Sequence, residues 1–353
     1  MRRASVICAL GALLVAAAPA RAERLQPLDP HAGPPGPAAL FFPDRVIDRP
    51  PRAAAARSGS VTRNYLTTDG VPIQVTMSRS VSGSAQSYVD FLDSRLHGDE
   101  LGLLRVFIGT EAEVNAACGG ELGVLACYVR SERRMYVPDR EPSHGGPFTR
   151  EYAITHEYGH HIASFRSDFP WMAIDWGAKY WASYAHICGR VSQGLLFPGD
   201  QGAHYLDDPG EGFADSYAHL HYPQVIWQFN PLMRPDAGAF AAIRRDVLNP
   251  WRVPSRRTLR GRLGSGRRTA ALALVTTLDG QLAVRLRTSP GARFDLELRN
   301  RGRLLRRVGG GAASKQASAV FCRQPTAATA SATVRVVRRS GAGPFTLTAD
   351  YPG

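Results

Sequence analysis

His156 and His160 flank Glu157 in the stretch Ala153-Ile154-Thr155-His156-Glu157-Tyr158-Gly159-His160-His161-Ile162. On a helix, residues four apart stand on one face, one turn from each other. Two imidazoles so placed can hold a Zn²⁺ at about 2.0–2.1 Å each. Glu157 borders the same face, where a carboxylate can take a proton from a zinc-activated water. Ile154, Tyr158 and Ile162 recur every four residues and give the helix an apolar flank to bury. A chain with ten His can produce this pattern by chance, so a second motif has to support it.

That second motif is Glu211-Gly212-Phe213-Ala214-Asp215. A catalytic zinc takes three protein ligands and keeps one position open. Glu211 can be the third ligand. Asp215 falls one helical turn later, where its carboxylate can accept the free ring N–H of a ligating His and fix that ring's tautomer and direction. His161 points about 100° away from His160 on a helix and is a poor fourth ligand. His186 lacks a partner at ligand spacing, and His219 and His221 come late enough to be read as surface residues.

His-Glu-x-x-His followed by Glu-x-x-x-Asp resembles the gluzincin metallopeptidases, the thermolysin-like group. The Glu-x-Phe-Ala-Asp form and the compact size resemble their small secreted branch, related to anthrax lethal factor. The resemblance spans about 71–247. It implies a zinc endopeptidase in which Zn²⁺ sits on His156, His160 and Glu211, with Glu157 as general base and Asp215 behind a ligand. It also implies a hydrogen-bond donor for the oxyanion, often a Tyr seven residues before the ligand Glu. Here His204 holds that position and Tyr205 follows it, so both are candidates. The metzincin pattern needs Gly and His three and six residues after His160, where this chain has Ala163 and Arg166. A Gly-x-Met-Glu-Asn element, which gluzincin aminopeptidases use to hold a free N-terminus, is missing, so cleavage within chains is the expectation.

The elements that must position these residues can be read in outline. Residues 1–22 have the form of a signal peptide: Arg2 and Arg3, an apolar run over 6–18, then Ala20-Arg21-Ala22. The run is too short to span a membrane comfortably, and no later one reaches 18 apolar residues. A secreted protein without a transmembrane segment is expected. Residues 23–60 are rich in Pro and Ala and read as a linker or pro-segment unable to order itself. Over 61–250 the pattern is strand 73–77, helix 85–96, strands 103–108, 125–130 and 134–137, and then the zinc helix. This order resembles the upper half of a zincin domain, which makes 134–137 the edge strand that would pair with an extended substrate. A helical lower half closes the domain. Trp171, Trp176 and Tyr180 lie between the second and third ligands and fit either a core or substrate subsites. The expected fold class is therefore an α+β zincin-like catalytic domain, a mixed sheet with an edge strand over a zinc helix. A basic linker over 251–269 and a small all-β sandwich over 270–353 follow. The last strand resembles those of sandwich domains that follow secreted bacterial peptidases.

Charge divides the chain. Residues 251–353 carry 20 basic and 4 acidic groups, while 23–250 carry 20 basic and 26 acidic ones. A cationic outer domain points to an anionic cell-envelope surface as partner. Nucleic acid is disfavoured by the signal peptide and by the lack of interleaved aromatics for base stacking. Beyond Cys8 of the leader, Cys118, Cys127, Cys188 and Cys322 form an even set that suits disulfides in an exported protein. The favoured pairing is Cys118–Cys127 and Cys188–Cys322. A rival to the protease is a non-catalytic, zinc-stabilised envelope-binding protein, which would keep the ligands without needing Glu157.

Overall fold

A computed structural model of the chain describes residues 22–29, 44–50, 59–120, 124–141 and 148–353. The expected signal peptide, apart from Ala22, lies outside them. In chain order the first strands are Glu23–Arg24 (β1), Asp44–Ile47 (β2), Val61–Leu66 (β3), Pro72–Met77 (β4), Val81–Ser82 (β5), Arg105–Gly109 (β6), Ala126–Val129 (β7) and Arg134–Pro138 (β8). Among the described residues, six of them form one mixed sheet in the order β2-β7-β8-β6-β4-β3. Every residue of β7 is buried, because both faces of the sheet are covered. A strand buried on two sides reads as a continuous apolar run and loses its alternation.

Two expectations are corrected here. β8 is no edge: it pairs parallel with β6 on one side and antiparallel with β7 on the other. The segment read as unable to order itself also supplies structure. β2 pairs with β7 and takes the edge of the sheet, and Leu25 and Leu28 enter the main core. Composition predicted a solvated linker; a few apolar anchors and sheet hydrogen bonds outweigh it.

The helices are Gln86–Asp93 (α1), Glu111–Ala117 (α2), Arg150–Ser164 (α3), Ala173–Trp176 (α4), Lys179–Tyr184 (α5), Ile187–Val191 (α6), Pro209–His221 (α7) and Ala237–Leu248 (α8). α2 was not foreseen. It opens on a capping box in which the Thr110 side chain accepts from the Glu113 backbone and the Glu113 carboxylate accepts from the Thr110 N–H. α3 lies against β7 and β8, and its N-cap Thr149 accepts from Tyr152 N–H. Residues 150–163 are all buried, since the sheet covers one flank and α7 another. Asp208 caps α7, with Pro209 in its first turn.

α3 and α7 cross at Gly159. A Cβ at Gly159 would stand 2.7 Å from the Ala214 Cα. A mid-helix glycine ordinarily costs about 1 kcal/mol against alanine, yet here only glycine permits the approach.

After a short hairpin of Ser167–Asp168 (β9) and Trp171–Met172 (β10), the C-terminal strands are Ser255–Leu263 (β11), Thr269–Thr276 (β12), Gly280–Thr288 (β13), Arg293–Asn300 (β14), Arg303–Val308 (β15), Ser314–Phe321 (β16), Ala330–Ser340 (β17) and Gly343–Tyr351 (β18). They form two antiparallel four-stranded sheets, β11-β18-β13-β16 and β12-β17-β14-β15. Phe345, Leu347 and Ala349 of β18 alternate inward to meet Phe294, Leu296 and Leu298 of β14 in a second core. The sandwich thus begins at Ser255, inside the stretch read as a basic linker; β11 alternates arginine outward and is paired along its length with β18.

The sandwich is tied to the insert between α3 and α7. Cys188 is bonded to Cys322, and Cys118 to Cys127, as the sequence favoured. Buried Lys179 donates to the carbonyls of Phe169 (2.9 Å) and Asp279 (3.0 Å) and pairs with Asp168 at 2.6 Å. Two disulfides suit an extracellular setting. Among the described residues, no helix is long and apolar enough to cross a membrane.

Gly159→Ala is expected to destabilise the fold by about 1–3 kcal/mol through overpacking. Urea unfolding monitored by circular dichroism measures it, and an unchanged or raised midpoint would show that the helix pair parts without cost.

Candidate metal centre

The crossing at Gly159 places one turn of α3 against one turn of α7, and four side-chain donor atoms meet there. His156 Nε2 lies 3.1 Å from His160 Nε2. Glu211 Oε2 lies 3.3 Å from the first and 3.1 Å from the second. The fourth atom comes from the edge strand β2: Asp44 Oδ2 stands 2.7 Å from His156 Nε2 and 3.5 Å from His160 Nε2. All four side chains are buried, and together they could bind a metal ion.

The distances test the fit. A tetrahedral ion with ligand bonds of about 2.0–2.1 Å has donor–donor edges of roughly 3.3–3.4 Å. The edges of 3.1, 3.3 and 3.1 Å among His156, His160 and Glu211 are close to that. The chemistry agrees. Two ring nitrogens and two carboxylate oxygens, all electron-rich, converge on one point away from water. Such burial is costly unless a cation or protons lie between them.

The electrostatics have the same origin. Burial alone would lower the pKa of His160, but the Glu211 carboxylate and then Asp44 raise it to about 9. Burial would raise that of Glu211, but His160 and His156 hold it well below the usual carboxylate range. Glu157 is pushed well above its ordinary value by burial and then by the Asp44 charge. Neither Glu157 carboxylate oxygen has a hydrogen-bond partner among the described residues, although both are buried. A carboxylate left so has a cost that packing does not explain.

Around these groups lies a supporting layer. Asp215 Oδ1 stands 3.4 Å from His156 Nδ1, on the ring edge opposite the donor cluster. Tyr152 donates its hydroxyl to Asp215. Gln201 donates to Glu211 Oε1 at 2.6 Å and to Asp208 Oδ2 at 3.0 Å, so it orients the Glu211 carboxylate. Tyr205 donates its hydroxyl to Asp44 and so reaches the cluster.

Comparison with known proteins adds little. No protein-family model matches the chain, and no curated protein matches it. Among solved structures, the pre-peptidase C-terminal domain of a collagenase from Bacillus anthracis aligns at 14% identity over 28% of this chain and 89% of its own, with a TM-score of 0.23. A mitogen derived from Yersinia pseudotuberculosis aligns at 14% identity over 28% of this chain and 87% of its own, with a TM-score of 0.21. At these scores the likenesses leave the sandwich to stand on its own strand pairings.

Of the residues singled out from sequence, the structure brings His156, Glu157, His160, Glu211, Asp215 and Tyr205 together. His204 is not among them: its ring stacks on Phe197 with centroids 3.7 Å apart, and its side chain is 44% exposed. His219 is corrected from surface to buried; its Nδ1 lies 3.4 Å from Asp215 Oδ2 and its Nε2 lies 3.0 Å from the Val225 carbonyl oxygen. His221 is half-buried too, and burial drives its pKa down to about 3. His161 faces away from the cluster, with Nε2 at 2.9 Å from the Glu100 carbonyl, and burial lowers its pKa to about 4. Trp171 and Trp176 stack on each other at 4.5 Å beside Lys179, and Arg245 covers Tyr180, so these rings belong to packing around the insert. Asp44 and Gln201 were missed. Asp44 lies far from the motifs in a Pro-rich stretch, and no local spacing marks either residue.

Asp215→Ala is expected to weaken metal binding by about 10–100-fold without abolishing it, as loss of a ligand's hydrogen-bond partner does. Competition with a chromogenic chelator reads the dissociation constant. A constant equal to that of the unaltered chain would remove Asp215 from the metal's support.

Proposed function

We propose that the chain is a secreted zinc endopeptidase. The observation that carries this is the pairing of a converging His156–His160–Glu211 donor set with a buried Glu157 carboxylate that has no hydrogen-bond partner among the described residues. Two imidazoles and a carboxylate suit Zn²⁺. A bound ion would supply Lewis-acid polarisation of a peptide carbonyl and activation of a water at neutral pH.

The chain's own residues supply the rest. His156, His160 and Glu211 hold the ion, with Asp215 behind His156 and Gln201 behind Glu211. Glu157 accepts the water's proton and returns it to the leaving amine. The Tyr205 hydroxyl, once released from Asp44, donates to the oxyanion; its reach to the cluster supports this role. An extended peptide would pair along the edge of β7 that β2 takes in this structure, once β2 is displaced.

The rival, a non-catalytic zinc-stabilised envelope protein, has one observation on its side. Asp44 completes a set of four donors, and structural zinc sites are closed. Glu157 has no purpose in that reading.

The test incubates a peptide library with the secreted chain, and with Asp44→Ala, with and without chelator, and reads cleavage by mass spectrometry. Glu157→Gln in either form is expected to retain zinc by elemental analysis and to lose about 10²–10⁴-fold or more in rate. Absence of chelator-sensitive cleavage in every form would remove the proposal, and near-unchanged cleavage by Glu157→Gln would remove Glu157 as base.

The partner proposed for the sandwich is an anionic envelope polymer or headgroup. A groove on the β11-β18-β13-β16 sheet is lined by Arg256, Arg285, Arg287 and Arg306 among others. Exposed charges attract over about 10 Å at 0.1 M salt. Attachment to isolated envelopes should fall steeply with salt and drop in Arg285→Ser/Arg287→Ser, while cleavage of a small neutral peptide persists. Attachment indifferent to salt would leave the arginines with solubility alone.

A further inference from the structure

We infer that residues 44–47 form an inhibitor built into the chain, with β2 covering the peptide-binding edge of β7 and Asp44 occupying the ligand position that an attacking water needs. This rests on the endopeptidase reading above.

Three observations converge. The first is placement. β2 pairs in parallel with β7 over four residues, Asp44 opposite Ala126 through Ile47 opposite Val129. The other side of β7 belongs to β8, so β2 takes the edge left for a substrate. Its backbone is held further: Val46 N–H donates to Gln201 Oε1 at 3.1 Å, Arg130 N–H to the Ile47 carbonyl at 2.9 Å, and Ser131 N–H to the Asp48 carbonyl at 3.1 Å.

The second is chemistry. One Asp44 oxygen stands against both imidazoles, and the other accepts from Tyr205. One side chain thus fills the fourth ligand position and occupies the oxyanion donor. It presents a carboxylate, which has no leaving amine, so the machinery around it has nothing to cleave.

The third is anchoring. The preceding stretch is pinned to the metal helix itself. Arg150 of α3, 1% exposed, donates to the carbonyls of Gln26 at 3.0 Å and Pro27 at 2.9 Å. Leu25 and Leu28 lie in the core beside it. A tethered competitor held this way acts at an effective concentration in the millimolar range, without being consumed.

Asp44 as a permanent structural ligand would explain the closed donor set. It would leave unexplained why Glu157 lies buried next to it with no hydrogen-bond partner among the described residues.

The test replaces the metal of the full secreted chain by Co²⁺ and titrates acetohydroxamate, a small metal-directed probe, following the visible spectrum. The spectrum of the unaltered chain should stay unmoved at concentrations that saturate Asp44→Ala. The half-saturation points should differ by at least about tenfold, because apparent affinity falls with the fraction of open sites. An unaltered chain that responds as readily as the variant overturns the inference. If Asp44→Ala does not fold or take up cobalt, Asp44→Asn decides, since it keeps the shape and the Tyr205 contact without the charge. Cobalt retained with a gained response supports the inhibitor; failure to hold cobalt makes Asp44 a structural ligand and overturns it. Casein cleavage on the same samples separates the two proposals. A site that opens without cleaving casein sinks the endopeptidase and leaves the blocked position standing. Equal cleavage by the unaltered chain and Asp44→Ala sinks the inhibitor.

Discussion

Two ring nitrogens and two carboxylate oxygens face one another in a space sealed from water, and the N-terminal α/β half of the molecule is arranged around that convergence. Like-natured electron-rich groups do not gather in an apolar interior without a positive charge to hold them, because burial removes the water that would solvate each one. The arrangement must therefore be imposed by the rest of the fold or stabilised by an ion. The structure shows how the fold imposes it. α3 delivers two donors one turn apart, α7 delivers the third, and the Gly159 crossing fixes the gap between the helices to the width of a peptide backbone.

That gap depends in turn on elements remote from the chemistry. The sheet presses α3 from one side, so that the helix is buried along its length. Gln201 and Asp208 hold the start of α7 and the Glu211 carboxylate, and burial together with the Glu211 charge raises the Asp208 pKa to about 8. Tyr152, Asp215 and His219 form a buried polar chain behind His156. Such a network is costly when half satisfied and rigid when complete, which suits a role in holding a ring at fixed orientation. The N-terminal segment belongs to the same assembly, since Arg150 ties it to the ligand-bearing helix.

The sandwich answers a separate constraint. Its own core packs β14 against β18 without help from the N-terminal half, yet Cys188–Cys322, Lys179 and Arg323 fasten it to the insert between α3 and α7. Much of the positive charge stays on the sheet faces, where it remains solvated.

Most of the donor cluster was legible in the sequence because helical periodicity converts local spacing into geometry. His156, Glu157 and His160, and Glu211 with Asp215, needed only 3.6 residues per turn to be placed on shared faces. The strands 73–77 and 134–137 were visible through their apolar patterns, and the even cysteine set favoured the pairing found. What spacing cannot encode is which strand neighbours which. Arg134–Pro138 carries the same side chains at an edge as in the interior, and only the pairing with both β6 and β7 decided its place. Packing likewise decided which of His204 and Tyr205 lies beside the cluster: it turned one ring onto Phe197 and aimed the other's hydroxyl at Asp44. Asp44 itself was beyond reach. A lone carboxylate in a Pro-rich stretch has no local signature, and it meets the two histidines and Glu211 only because sheet hydrogen bonds bring β2 alongside β7, a contact made by tertiary structure alone.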